Sequence, residues 1–213
     1  MPLTRGAVTF SRFRVRPGAK ELPSDLPRSL GRALRARAFE PLDRTGDEER
    51  AAGFVELEAE DGVEFASGSV FRGDHALFAY RVDTLKVPSS QLQAELKKWL
   101  EAFEAENDRP PTRGEKSRAK TELRDMLRKR VEPSVRIHEV SWNLKTHELS
   151  IWSSNRRAVE EVALAIESLY ELSLEPRVPA ALALEAGIAE DALGPTPELI
   201  GGAAGAEEAT HAA

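Results

Sequence analysis

Arg113, Lys120, Arg124 and Arg128 recur at helical spacing, and at 100° per residue they fall within roughly 80° of one another on one flank of a helix. Cations spaced about 6 Å per turn along a helix axis can follow a phosphate backbone. Each phosphate neutralised releases counterions, the usual source of sequence-independent affinity for nucleic acid. Ala119, Leu123, Met126 and Leu127 form the adjoining apolar stripe, while Glu115, Glu122 and Asp125 fall on the far side. The same pattern also describes a solvated helix with i, i+4 charge support. Two further elements repeat the device. Arg28, Arg32 and Arg35 share a helix face opposite Leu26, Leu30, Ala33 and Leu34, and Arg12, Arg14 and Arg16 alternate on a strand, so they point to one side. The expectation is that these cations line a single track wide enough for a nucleic-acid strand. Trp152, on a polar strand face, is a candidate for base stacking or for a subunit contact, with burial under the neighbouring helix as the alternative.

Signals for other chemistry are thin. The chain has no Cys, which excludes disulfides, thiolate metal sites and a Cys nucleophile. His75, His138, His147 and His211 form no i, i+4 or His-x-His pair. There is no phosphate-binding P-loop, no dinucleotide fingerprint and no Gly-x-Ser-x-Gly. Glu56, Glu58, Glu60 and Asp61 alternate on an expected strand and could hold Mg²⁺ as in a nuclease, although no Lys follows at strand spacing to complete such a site. No catalytic residue, metal site or cofactor is assigned, and the acidic row is read first as a solvated face.

The net charge of −6 would argue against a polyanionic partner if it were evenly spread. It is not. Residues 1–46 and residues 109–136 each carry a net +6, residues 47–80 carry −7, and residues 180–213 contain six acids and no Lys or Arg. The last stretch is Ala- and Gly-rich, reads as a largely disordered acidic tail with one short helix (Ala180 to Glu185), and sets a domain boundary near Pro179. Such a tether could compete with DNA for the basic surface. No run approaches the roughly 18 apolar residues of a membrane span, and Met1 to Lys20 lacks the apolar run of a secretory signal, so a cytoplasmic protein is expected.

The elements that must position the cations follow from periodicity. Strands are expected over Ala7–Arg16, Ala51–Glu58, His75–Val87, Val135–Asn143, Glu148–Ser153 and Leu172–Val178. Helices are expected from Ser24 or Asp25 to about Ala38, from Ser89 or Ser90 to about Asn107, from the Thr112 cap to about Arg130, and from the Asn155 cap to about Tyr170. Arg109-Pro110-Pro111 separates the second helix from the third, whose Thr112 and Glu115 have capping-box spacing. A hairpin turning at Lys145-Thr146 places Val140, Trp142, Leu149 and Ile151 on an apolar face, and Glu139, Ser141, Ser150 and Trp152 on a polar one. The fold class is α+β: a mainly antiparallel sheet with about four helices, one of them long and basic.

Three segments also resemble the recombination-associated RdgC family of bacterial DNA-binding proteins. They are Leu30 to Pro41 (LGRALRARAFEP), Ala52 to Glu56 (AGFVE), and above all Val87 to Lys129, where a helix ending in a Glu-rich turn leads into a basic helix. WNLKTHELSIWSSNRRAVEEVALAI is similar to the family's next hairpin and helix, and the resemblance spans about residues 3–179. It implies binding of single- and double-stranded DNA without sequence preference, a ring-like homodimer, a place on the nucleoid, and restraint of RecA-type strand exchange. Arg113, Lys116, Lys120 and Arg124 match basic positions of the family's long helix. Two features depart from it. Typical members continue into a second folded portion where this chain has its acidic tail, and their Leu-Pro-Arg-Ala-Phe segment reads Leu127-Arg128-Lys129-Arg130-Val131 here. A closed ring, a shorter clamp, an open dimer and another oligomer all stay open. The rival readings are a protein-interaction module of the same fold and a metal-dependent nuclease.

Overall fold

Strict alternation makes the first strand, β1 (Ser11–Arg16): Phe13 and Val15 are buried, and the arginines between them turn to the other side. In the computed structural model, which describes residues 9–18, 22–189 and 193, twelve elements follow it. They are α1 (Leu26–Ala36), β2 (Arg50–Glu56), α2 (Ser67–Val70), β3 (Phe71–Arg72), β4 (His75–Thr84), α3 (Ser89–Asn107), α4 (Arg113–Arg130), β5 (Ser134–Asn143), β6 (Glu148–Trp152), α5 (Arg156–Tyr170), β7 (Ser173–Pro176) and α6 (Pro179–Glu185). The fold is α+β, with one seven-stranded sheet in the order β2-β4-β5-β6-β1-β7 and β3 beside β4. Its strand pairs are antiparallel.

The hairpin register is the expected one. Trp142 lies opposite Leu149 and Val140 opposite Ile151, and all four are buried. The Asn143 side chain accepts the amides of Lys145 and Thr146, both at 3.0 Å, and so makes the turn. This face of the sheet also carries Phe13, Val15, Phe54, Phe78 and Tyr80. It is covered by Leu26, Leu30 and Leu34 of α1 and by Val159, Val162 and Ile166 of α5. Each helix buries an i, i+3/i+4 stripe of branched apolar side chains and leaves its charged side in water. Asp25 caps α1, and Asn155 caps α5.

The opposite face carries a smaller apolar cluster near β2, where Phe39 meets Val55 and Ala79. Phe39 arrives there because residues 37–39 run along the edge of β2, with the Phe39 amide donating to the Phe54 carbonyl at 2.9 Å. The backbone passes so close that a Cβ on Gly53 would stand 2.5 Å from Phe39 Cα. Gly53→Ala is therefore expected to lower stability by about 1–3 kcal/mol, as overpacking against backbone does. Urea unfolding checks this, and an unchanged midpoint would show that the crossing relaxes freely.

Three expectations need correction. The strand expected to run to Glu58 ends at Glu56, whose amide donates to the Gly62 carbonyl (2.8 Å) and so folds residues 57–62 into a loop. The strand expected to reach Val87 stops at Thr84, and the helix expected to reach about Ala38 stops at Ala36. α2 and β3 are additional, being too short to show a period. Ala7 and Val8 of the first expected strand lie outside the described residues, as does most of the acidic tail. α6 matches the short helix expected at the start of that tail. Among the described residues no helix is long and apolar enough to cross a membrane.

α3 and α4 form a helical hairpin inserted between β4 and β5, leaving at Thr84 and returning at Ser134, which are register partners. The two helices pack chiefly on each other. α3 buries no residue fully and α4 buries only Ala119 and Leu127. Local chemistry holds its tip. Arg109 donates twice to Glu115 (2.8 and 3.0 Å) and stacks 5.1 Å from the Phe103 ring centroid. The Thr112 amide donates to Glu115 Oε2 at 2.8 Å, and the Glu115 amide donates back to Thr112 Oγ1 at 3.3 Å. The Arg109 guanidinium first, then the Thr112 amide and hydroxyl, hold the Glu115 carboxyl down to about 2, below its ordinary 4.5. A lowered carboxylate pKa stabilises the fold above the ordinary value and ceases to do so as pH falls through the lowered one. Wild type is thus expected to lose hairpin stability between about pH 4.5 and about pH 2. Glu115→Gln should be weaker at neutral pH and lose less across that window. Parallel thermal melts by circular dichroism decide it, and identical pH profiles would refute it.

Candidate nucleic-acid interface

α4 presents its cationic flank to solvent as the periodicity requires, but the flank divides into two parts. Arg113, Lys116 and Lys120 are exposed and have no ion-pair partner among the described residues. Arg124 pairs with Glu49 at 3.2 Å, and Arg128 is half-buried, its guanidinium donating to the Glu48 carbonyl. The acidic stretch before β2 thus takes up the root half of the stripe and ties the hairpin to the sheet. Arg44 strengthens the tie by donating to Glu132 (2.7 Å) and to the Lys129 carbonyl (3.4 Å).

The other two stripes do not extend this one. α1 lies over the apolar sheet face, whereas Arg12 and Arg14 alternate with buried Phe13 and Val15 and so stand on the opposite face. The single track through all three elements is not formed, because strand alternation and helix packing send their cations to opposite sides of the sheet. Acids also answer several of them. Arg28 lies 3.7 Å from its own cap Asp25, Arg35 lies 3.5 Å from Glu64, and Arg16 donates to Glu175 at 3.0 Å. Arg32 has no ion-pair partner among the described residues. Arg12 sits 5.4 Å from the Phe10 ring centroid and Arg14 stands opposite Glu148.

Trp152 is half-buried on that polar face, where its indole N–H donates to Ser141 Oγ at 3.0 Å and its ring lies 4.9 Å from Phe10, tilted by 44°. Burial under a helix is not its fate, since α5 packs on the other side.

Separate elements converge at a place the linear pattern does not mark. Where β4 ends and β5 and α5 begin, a cleft of about 530 Å³ is lined by Arg50, Lys86, Arg136, Arg157 and His138 among others. Arg50 is paired with Glu161, and Glu132 on the rim is paired with Arg44. Lys86, Arg136 and Arg157 have no ion-pair partner among the described residues. Burial pushes the His138 imidazole below its ordinary value, with Arg136 acting in the same direction and Glu161 against it. The cleft adjoins the root of the α4 stripe, because Glu49, the partner of Arg124, also accepts the Leu85 amide at 2.8 Å. In the sequence Arg50, Lys86 and Arg157 belong to no cationic period. The registers that set Arg50 opposite Thr84 and Arg136 opposite Val82, together with the start of α5, bring them to one cleft.

The acids considered for a metal do not form a row. Glu56, the last residue of β2, accepts from Ser69 (2.8 Å), and from the loop that follows it Glu58 pairs with Arg72 (3.2 Å) and Asp61 pairs with Arg81. Among the described residues no group of three or more His, Asp or Glu could hold a metal ion. No family model and no curated protein matches the chain.

Proposed function

We propose that this chain is a non-enzymatic DNA-binding protein that grips the phosphate backbone of single- and double-stranded DNA without reading its sequence. As the RdgC resemblance implies, it would act on the nucleoid as a homodimer, and its occupancy of DNA would restrain RecA-type strand exchange. One observation carries the reading: among the described residues Arg113, Lys116 and Lys120 have no ion-pair partner along an exposed helix flank that leads to a cleft where Lys86, Arg136 and Arg157 have none either. Exposed cations that no acid neutralises make a local positive field that attracts a polyanion even in a chain of net charge −6. Six such contacts give an expected log–log salt slope of about −5 on duplex DNA. Fluorescence anisotropy with a labelled duplex of arbitrary sequence across a salt series measures it, and a slope near zero would defeat the reading.

The ion pairs that occupy Arg16, Arg28, Arg35 and Arg124 favour a second reading, an interaction module of the same fold that does not bind DNA. Retention on heparin no stronger than on an uncharged resin would favour that module.

A further inference from the structure

We propose that the cleft at the root of the α3–α4 hairpin takes the terminal phosphate of a nucleic-acid strand, held by Lys86, Arg136 and Arg157. The proposal rests on the DNA-binding reading and adds to it a site for strand ends. The cleft's volume of about 530 Å³ falls within the range of small-ligand sites and is enough for a phosphate with its sugar. Its charge is real. The two wall carboxylates, Glu132 and Glu161, are already engaged by Arg44 and Arg50, which among the described residues leaves Lys86, Arg136 and Arg157 facing the space without an ion pair. They come from three separate parts of the fold. Lys86 follows β4, Arg136 lies within β5, and Arg157 is in the first turn of α5.

The first amides of α5 do not form the site, because the Asn155 side chain already accepts from Arg157 and Ala158 (3.0 and 3.4 Å). Recognition therefore falls to the side chains. Two guanidinium forks and an ammonium suit a tetrahedral oxyanion with several free oxygens. A terminal phosphomonoester carries about −1.5 to −2 charges, where an internal diester carries one. Three unpaired cations therefore favour the strand end over the interior of the chain.

The test compares the full chain with Arg136→Gln/Arg157→Gln, whose replaced side chains have no ion-pair partner among the described residues, after circular dichroism confirms equal folding. Anisotropy is measured on a 12-nucleotide single strand with a 5′-phosphate, a 3′-phosphate or hydroxyl ends, and on a circular single strand that has no end. At least one phosphorylated oligonucleotide should bind the wild type about tenfold more tightly than its hydroxyl twin, as charge-assisted hydrogen bonds require, and the variant should bind both alike. Equal affinity of all three oligonucleotides for the wild type, with the circle still bound, would overturn this inference and leave the DNA-binding reading intact. A phosphate preference that survives in the variant would overturn it too. Failure of the circle and all oligonucleotides to bind would overturn both.

Discussion

Replacing Arg113, Lys116 and Lys120 together by Glu is expected to weaken DNA binding by roughly 10²–10³-fold at about 0.1 M salt, since each phosphate contact contributes a salt-slope increment near 0.9. The same variant should show a salt slope shallower by about 3. Its fold should be unchanged by circular dichroism, because all three side chains are exposed and have no ion pair among the described residues, and because the capping box and the burial of Ala119 and Leu127 stay in place. Charge reversal at Arg124 and Arg128 is not an equivalent experiment. Those residues hold Glu49 and the Glu48 carbonyl, so their loss would loosen the hairpin root as well as remove charge. Equal binding by the triple variant and the wild type would make the stripe a solvated face and nothing more.

The largest expected effect on stability lies on the other sheet face. Arg81 donates to both oxygens of Asp83 at 2.8 Å, also pairs with Asp61, and stacks 4.4 Å from the Phe39 ring centroid. The two side chains of the Arg81–Asp83 pair are only 13% and 5% exposed. Asp83 and Asp61 raise the Arg81 guanidinium against the opposing effect of burial, with the Asp83 hydrogen bonds as the leading cause. Removing one partner of a buried pair leaves an uncompensated charge, so Arg81→Ala is expected to cost about 3–5 kcal/mol. That is a large share of the 5–15 kcal/mol typical of a folded domain. Arg81→Met with Asp83→Leu should recover most of the loss, because an apolar pair of similar volume avoids the desolvation penalty. Urea unfolding of the single and double variants settles the point. If Arg81→Ala unfolds at the wild-type midpoint, the pair contributes nothing.

Elements with a clean period or a cap were readable directly. Asp25, Thr112 and Asn155 announce their helices because a short polar side chain that satisfies free amides acts over three residues and needs no tertiary partner. The β5–β6 register was readable because a slip by one residue would expose Val140, Trp142, Leu149 and Ile151. The strand's end was less legible, because Glu56, Glu58 and Glu60 alternate as a strand would, while the turn closed by the Gly62 carbonyl leaves no trace in that alternation. Arg50, Lys86 and Arg157 went unnoticed because isolated charges have no period, and each lies far along the chain from the others.

Local rules alone, acting within one turn or one strand, assign this chain its helices, its antiparallel sheet and the side of each element on which the cations stand. Tertiary packing decided which of those cations keep their charge for a partner. Long-range pairing sets Arg124 against Glu49 and Arg128 against Glu48, places the α1 and β1 arginines on opposite sides of the sheet, and gathers Lys86, Arg136 and Arg157 around one cleft. The reason is physical: whether a charge is free depends on what lies within a few ångströms of it, and those neighbours come from distant parts of the sequence.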